Sequence, residues 1–252
     1  MDKKSRAQAI KDFTIFDDAY MQAFFNNDIP NTELVLRIIL DKPDLKVETV
    51  GIQQRLINSQ GHDGVVDVLA TDKIGKIYNI EIQNDMREAT PRRARYYSSL
   101  LDTNHLEEGE DYSKLPETYI IFITKGDYFK LDEPIHNIEM AIKKHLDIDV
   151  NYGVHLIYVN GNYRGDDPLG LLMKDFSCKN PADMYYNSIR EKTDKLKADG
   201  GVLMHGPVMD KLILQENTEM LIRLYKKGKI TKEAIAEELK ISLDDVEKLL
   251  SK

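Results

Sequence analysis

The chain has 252 residues, with 35 Lys and Arg against 43 Asp and Glu and a formal net charge of −8. That balance excludes a globally polybasic nucleic-acid coat, though not a local basic groove on an acidic body, because binding follows the local field. Apolar residues, 42% of the total, suffice for a core, and the single cysteine, Cys178, excludes an internal disulfide and a cysteine-rich zinc cluster.

In chain order, residues 16–26 (FDDAYMQAFFN) predict a short amphipathic helix with Asp17 or Asp18 as its cap. Pro30-Asn31 open a second helix, residues 32–40. Its apolar positions (Leu34, Val35, Leu36, Ile38, Ile39, Leu40) are too many for a surface stripe, so it is expected to be buried on most sides. Strands follow at residues 46–51, 64–71 and 76–83, then a helix over 91–103 with Pro91 in its first turn. Residues 118–124 (TYIIFIT) and 154–159 (VHLIYV) read as strands buried on both faces. Helices are expected over 135–145, 168–176 and 181–197. Such interleaving predicts an α/β domain with a central mixed sheet. Ala198-Asp199-Gly200-Gly201 is the linker candidate, dividing a domain of residues 1–198 from a helical segment of residues 202–252. No run approaches the ~18 apolar residues of a membrane span. The charged N-terminus lacks the apolar stretch of a signal peptide, so a cytoplasmic setting without a membrane partner is expected.

The stretch GVVDVLATDKIGKIYNIEIQ, residues 64–83, carries the chemistry. A three-residue loop, Lys73-Ile74-Gly75, with Gly in the left-handed conformation, fixes a register. It pairs Asp72 with Lys76, Ala70 with Tyr78, Val68 with Ile80 and Val66 with Ile82. Asp67 then opposes Glu81, with Gln83 further along the same face. Opposed like charges destabilise a sheet, and a divalent cation would reconcile them, since hard cations take carboxylate oxygens. A solvated polar face is the other reading, and a two-residue loop would slip the register and separate the carboxylates.

The order of these residues resembles the PD-(D/E)XK nuclease signature in an E-x-Q variant. More closely, the chain resembles the recombination-promoting nuclease/putative transposase (Rpn) family over roughly residues 13–175. The matching pieces are Phe16-Asp17-Asp18 with Phe24, Val66-Asp67-Val68-Leu69-Ala70 with Asp72, Tyr78-Asn79-Ile80-Glu81-Ile82-Gln83, Arg93-Ala94-Arg95-Tyr96-Tyr97, and Gly109-Glu110-Asp111-Tyr112 with Leu115-Pro116. The resemblance implies a restriction-endonuclease-like α/β fold, a mixed sheet flanked by helices with a C-terminal helical extension. It implies a Mg²⁺-dependent deoxyribonuclease (Mn²⁺ being the alternative ion) that leaves a 5′-phosphate and a 3′-hydroxyl. Asp67, Glu81 and Gln83 would be catalytic. Asp67, Glu81 and Glu33 would hold the metal, although Glu33 is also spaced to pair with Arg37. Arg92, Arg93, Arg95 and Tyr96 would bind DNA, Arg93 and Tyr96 being the pair that faces the site. Two departures stand out: Val66 where the family has Pro, and Gln83 where it has Lys. The second removes a positive charge and motivates a different class of function, a nuclease-fold DNA-binding protein with weak or no hydrolysis.

The six His residues have no metal-ligand spacing, and no nucleotide-binding glycine motif occurs. Near the C-terminus, Thr231 and Ser242 are N-cap candidates for two short helices. From Lys226 to Lys252 there are 7 Lys against 6 acids, and the last helix begins with Asp244 and Asp245. This favours an accessory or dimerisation element, and hence a homodimer, over a DNA-reading helix-turn-helix.

Overall fold

A computed structural model describes residues 10–59, 61–198 and 207–250. They fall into two compact units, Lys11–Ala198 and a second that holds the C-terminal helices. The linker expected at Ala198–Gly201 lies, from Asp199 on, outside the described residues.

In the larger unit the elements are α1 (Asp18–Phe25), α2 (Ile29–Leu40), β1 (Val47–Leu56), β2 (Gly64–Asp72), β3 (Ile77–Gln83), α3 (Pro91–His105), β4 (Thr118–Thr124), β5 (Ile135–Ile138), β6 (Val154–Asn160), α4 (Pro168–Ser177) and α5 (Asn187–Lys197). The six strands form one sheet in the order β1-β2-β3-β4-β6-β5. β1, β2 and β3 are antiparallel neighbours, β3, β4 and β6 run parallel, and β5 closes the far edge antiparallel to β6. This is the mixed, helix-flanked sheet of a restriction-endonuclease-like α/β fold.

Local chemistry explains the elements. In α2 the Asp28 side chain caps Asn31 N–H, and no residue from Asn31 to Leu40 is fully exposed. In α3 Thr90 caps Arg93 N–H with Pro91 in the first turn, and Ala94, Tyr97 and Leu101 recur on one buried face. That face packs on Val66, Ile120, Phe122 and Tyr158. Ile121 and Ile123, of opposite pleat and fully buried, turn to the other layer, where α1 and α2 lie against β1 and α2 meets α4 and α5.

The hairpin turn matches its prediction. Gly75 has φ +87°, Asp72 N–H donates to the Lys76 carbonyl, and Gly75 N–H donates to that of Asp72. The Asp72 carboxylate pins the turn further, accepting from Ile74 N–H, Lys76 N–H and the Tyr78 hydroxyl.

Other expectations are corrected. Residues 135–145 are not a helix: Ile135–Ile138 forms β5, because pairing with β6 and the His136–Asp127 bond at 2.7 Å outweigh a local helical period. The helix expected over 181–197 is broken into a single turn, Pro181–Asp183, and α5, since Asp175 binds Tyr185 N–H and Tyr186 N–H between them. Asp17 stands at the N-cap of α1 but does not cap it; its carboxylate accepts from Thr14 instead.

The second unit contains α6 (Pro207–Lys226), α7 (Lys232–Leu239) and α8 (Leu243–Leu250). Thr231 caps α7, and Ser242 accepts from Asp245 N–H at the start of α8. Leu221, Ile235 and Val246 form its buried centre.

Candidate active site

The β2–β3 pairing runs from Thr71↔Ile77 to Val68↔Ile80 and stops there. The expected partnership of Val66 with Ile82 does not form. Instead Asp67 N–H donates to Glu81 Oε1 at 3.2 Å, and Ile82 N–H donates to Asp67 Oδ2 at 3.1 Å. Two carboxylates have therefore taken the place of backbone acceptors where the strands part, and each buried N–H keeps a partner.

Across the other edge of β2, pairing passes through Ile52↔Val68 and Gln54↔Val66. Gln53 sits between them, opposite Asp67, with φ +48°. A non-glycine residue in this region is strained by about 1–3 kcal/mol and persists where its surroundings over-determine it. Here its side-chain amide donates to Asp67 Oδ1 at 3.1 Å. Both oxygens of Asp67 are thus oriented from neighbouring strands.

Glu81 is fully buried. Burial, followed by the negative charge of Asp67, pushes its carboxyl well above the ordinary range, against the opposing pull of Arg93. Asn79, buried two residues back on the same face, also favours the charged form of Glu81. Burial likewise raises Asp67, and the Asp18 carboxylate of α1 adds to the effect, while Ile82 N–H, Arg93 and Gln53 oppose it. Adjacent carboxylates both pushed toward protonation, chiefly by desolvation, are a pattern that clusters at functional sites.

Arg93 supplies part of that charge. One guanidinium nitrogen reaches Glu81 Oε2 at 3.2 Å and another Glu88 at 3.4 Å. Its Nε donates to the Tyr97 hydroxyl at 3.0 Å, which in turn donates to the Val65 carbonyl. Arg93 is thus held by Tyr97, one helical turn on, and of the expected site-facing pair it is Arg93 that reaches Glu81. Tyr96 accepts from Asn58 and donates to the His62 carbonyl. It lines a neighbouring cleft with His62 and Arg93. Arg92 and Arg95 are exposed on the same helix.

Asp67, Glu81, Gln83 and Arg93 are brought together, the Gln83 amide leaning on Glu81 Oε2 at 3.5 Å. Glu33 is not. It pairs with Arg37 and Lys46 and accepts from Val47 N–H, at the turn end of the hairpin where Val47 faces Asp72. Asp67 lies five residues back along β2, roughly 17 Å away at about 3.4 Å per residue. The carboxylate that α1 does bring near the pair is Asp18, visible in the sequence only as part of Phe16-Asp17-Asp18. Gln53 carried no sequence signal.

The donor set suits a hard divalent cation. Mg²⁺ binds through one or two carboxylates and keeps several waters for substrate phosphate. Among the described residues no group of three or more His, Cys, Asp or Glu gathers into a closed cage. The Ile82 carbonyl is on the same strand as a further oxygen.

A family model described as PD-(D/E)XK nuclease family transposase matches residues 21–160. No curated protein and no solved structure matches the chain.

Proposed function

Because the chain belongs to the PD-(D/E)XK nuclease family of transposases, we propose that it is a divalent-metal-dependent DNA endonuclease with Asp67 and Glu81 as its metal ligands. The observation that supports this most is the interrupted β2–β3 ladder, in which a half-buried carboxylate, Asp67, and a buried one, Glu81, replace backbone acceptors, the charge of Asp67 working against that of Glu81.

An ion held there supplies Lewis-acid chemistry, lowering the pKa of a water and neutralising charge on the phosphate. The residues of the chain do the positioning. Asp67, fixed by Gln53 and Ile82 N–H, and Glu81 present their oxygens from two strands. Gln83 orients the attacking water or a phosphate oxygen through its amide. Water oxygen bonds to phosphorus as the P–O3′ bond breaks, leaving a 5′-phosphate and a 3′-hydroxyl. Arg93 compensates the charge of Glu81 and, near the start of α3, would be placed to contact the phosphate.

A second reading has one observation behind it. Position 83 is neutral, so an anionic transition state is stabilised less there than by lysine. A nuclease-fold DNA-binding protein with weak hydrolysis follows from that.

A labelled DNA duplex incubated with Mg²⁺, Mn²⁺ or EDTA separates the two. The endonuclease reading expects internal fragments only with metal, with 5′ ends that ligate without prior phosphorylation. Retardation of the duplex with no fragments under either ion would overturn it in favour of the binding protein.

A further inference from the structure

A cleft of about 640 Å³ opens at the carboxyl ends of β3, β4 and β6. It begins at Asn84, directly after Gln83, and is walled by Lys125 and Asn162 from the ends of the other two strands. The strand ends are held level. Lys125 N–H donates to the Gln83 carbonyl at 3.1 Å, and Gly161 N–H donates to that of Thr124 at 2.7 Å. A Cβ at Gly161 would lie 2.4 Å from the Thr124 carbonyl oxygen and 2.5 Å from the Phe16 ring, so this junction admits only backbone. Crevices at the carboxyl ends of parallel strands are where α/β sheets take their ligands.

The charges in this cleft are unequal in availability. Arg87 is engaged by Asp85 at 2.6 Å, which neutralises the one carboxylate that lines the cleft. Lys125 is exposed, and among the described residues its ammonium has no carboxylate partner. An unpaired ammonium with two side-chain amides, Asn84 and Asn162, is a donor-rich surface suited to a phosphodiester anion. On the far side of Arg93 lies a second cleft of about 420 Å³, bounded by His62, Tyr96 and Tyr97. Two clefts close together in the chain, one ending at Arg87 and the other beginning at Glu88, give a polynucleotide room that a free nucleotide would not need.

We propose that the Asn84–Lys125–Asn162 cleft is a phosphate subsite for the nucleic-acid backbone, with Lys125, whose backbone N–H is bonded to the Gln83 carbonyl, supplying its positive charge. This deepens, and rests on, the nuclease reading.

The test is a fluorescence-anisotropy titration of a labelled DNA duplex with the full chain, across a series of salt concentrations, with Ca²⁺ in place of Mg²⁺. Lys125→Ala should lower the slope of log affinity against log salt by about one, the loss of a single phosphate contact. It should weaken low-salt binding several-fold, with Lys125→Arg restoring both. Lys144→Ala, in the exposed segment after β5, serves as the comparison and should leave the slope unchanged. Circular dichroism checks that each variant is folded. A wild-type slope in Lys125→Ala, or equal losses in the two alanine variants, would overturn the subsite while leaving the nuclease reading intact. A wild-type chain that binds no DNA at any salt would overturn both.

Discussion

At the scale of single residues, the account turns on Glu81 and Gln53. The Glu81 carboxyl is raised in the folded chain, so its protonated form is favoured there. The folded state then holds more protons than the unfolded one, and stability falls as pH rises above the ordinary glutamate value of about 4.3. Glu81→Gln keeps the shape of the protonated acid. The melting-temperature difference between Glu81→Gln and wild type, measured without metal, should therefore grow in favour of the variant between about pH 5 and 8. A constant difference would show that Glu81 is not strained by its charge. Gln53 separates strain from chemistry. Glycine takes φ +48° freely, so Gln53→Gly should match or exceed wild type in thermal stability. Losing the bond to Asp67 should nonetheless weaken metal binding or kcat/KM by about 10–100-fold, as for other partners that orient metal ligands. Calorimetric metal titration beside a melting curve reads both. The place of Glu81 was legible beforehand, that of Gln53 was not. Asp67 and Glu81 could be aligned from the hairpin spacing, but Gln53 meets Asp67 only through pairing across β1 and β2. The attraction of Glu33 to its own helix neighbour was legible, and it is what the structure shows.

Among the elements, the β2–β3 hairpin was the most readable, because a left-handed Gly75 leaves little freedom in register. Its fastening was less so: the Asp72 carboxylate accepts three hydrogen bonds within the turn. Asp72→Ala should cost about 3 kcal/mol, since it leaves N–H groups and a buried Tyr78 hydroxyl unpaired, read as a lower urea midpoint at unchanged slope. β5 was misread because its residues fit a helical period, while the pairing that captures them lies across the chain in β6. The amino ends of β3, β4 and β6 carry a further charge cluster. Burial alone would raise Glu117, but Lys76, Tyr119 and His155 outweigh it and hold the carboxyl at about 2. A depressed acid contributes stability above its unfolded value of about 4.3 and loses it as pH falls toward the folded one. Glu117→Gln should thus be less stable than wild type at pH 7, the gap closing as pH falls from about 4.3 to about 2; parallel acid-denaturation curves would contradict this.

For the whole molecule, a net charge of −8 means that any DNA affinity comes from a local field. If Arg92, Arg95 and Lys125 each meet one phosphate, as proposed, the log–log salt slope should be near three, far short of a basic coat. The α/β architecture followed from alternating apolar runs and turn residues. What the sequence withheld was the splitting of the sheet at Asp67, because a ladder that opens and one that continues have the same alternation. The proposal that this opening is a metal-dependent cleavage site is checked most directly with supercoiled plasmid incubated with wild type, Asp67→Ala and Glu81→Ala in Mg²⁺ or EDTA. Wild type should nick the plasmid with Mg²⁺ alone, and neither variant should nick it. Nicking that survives both substitutions would contradict it.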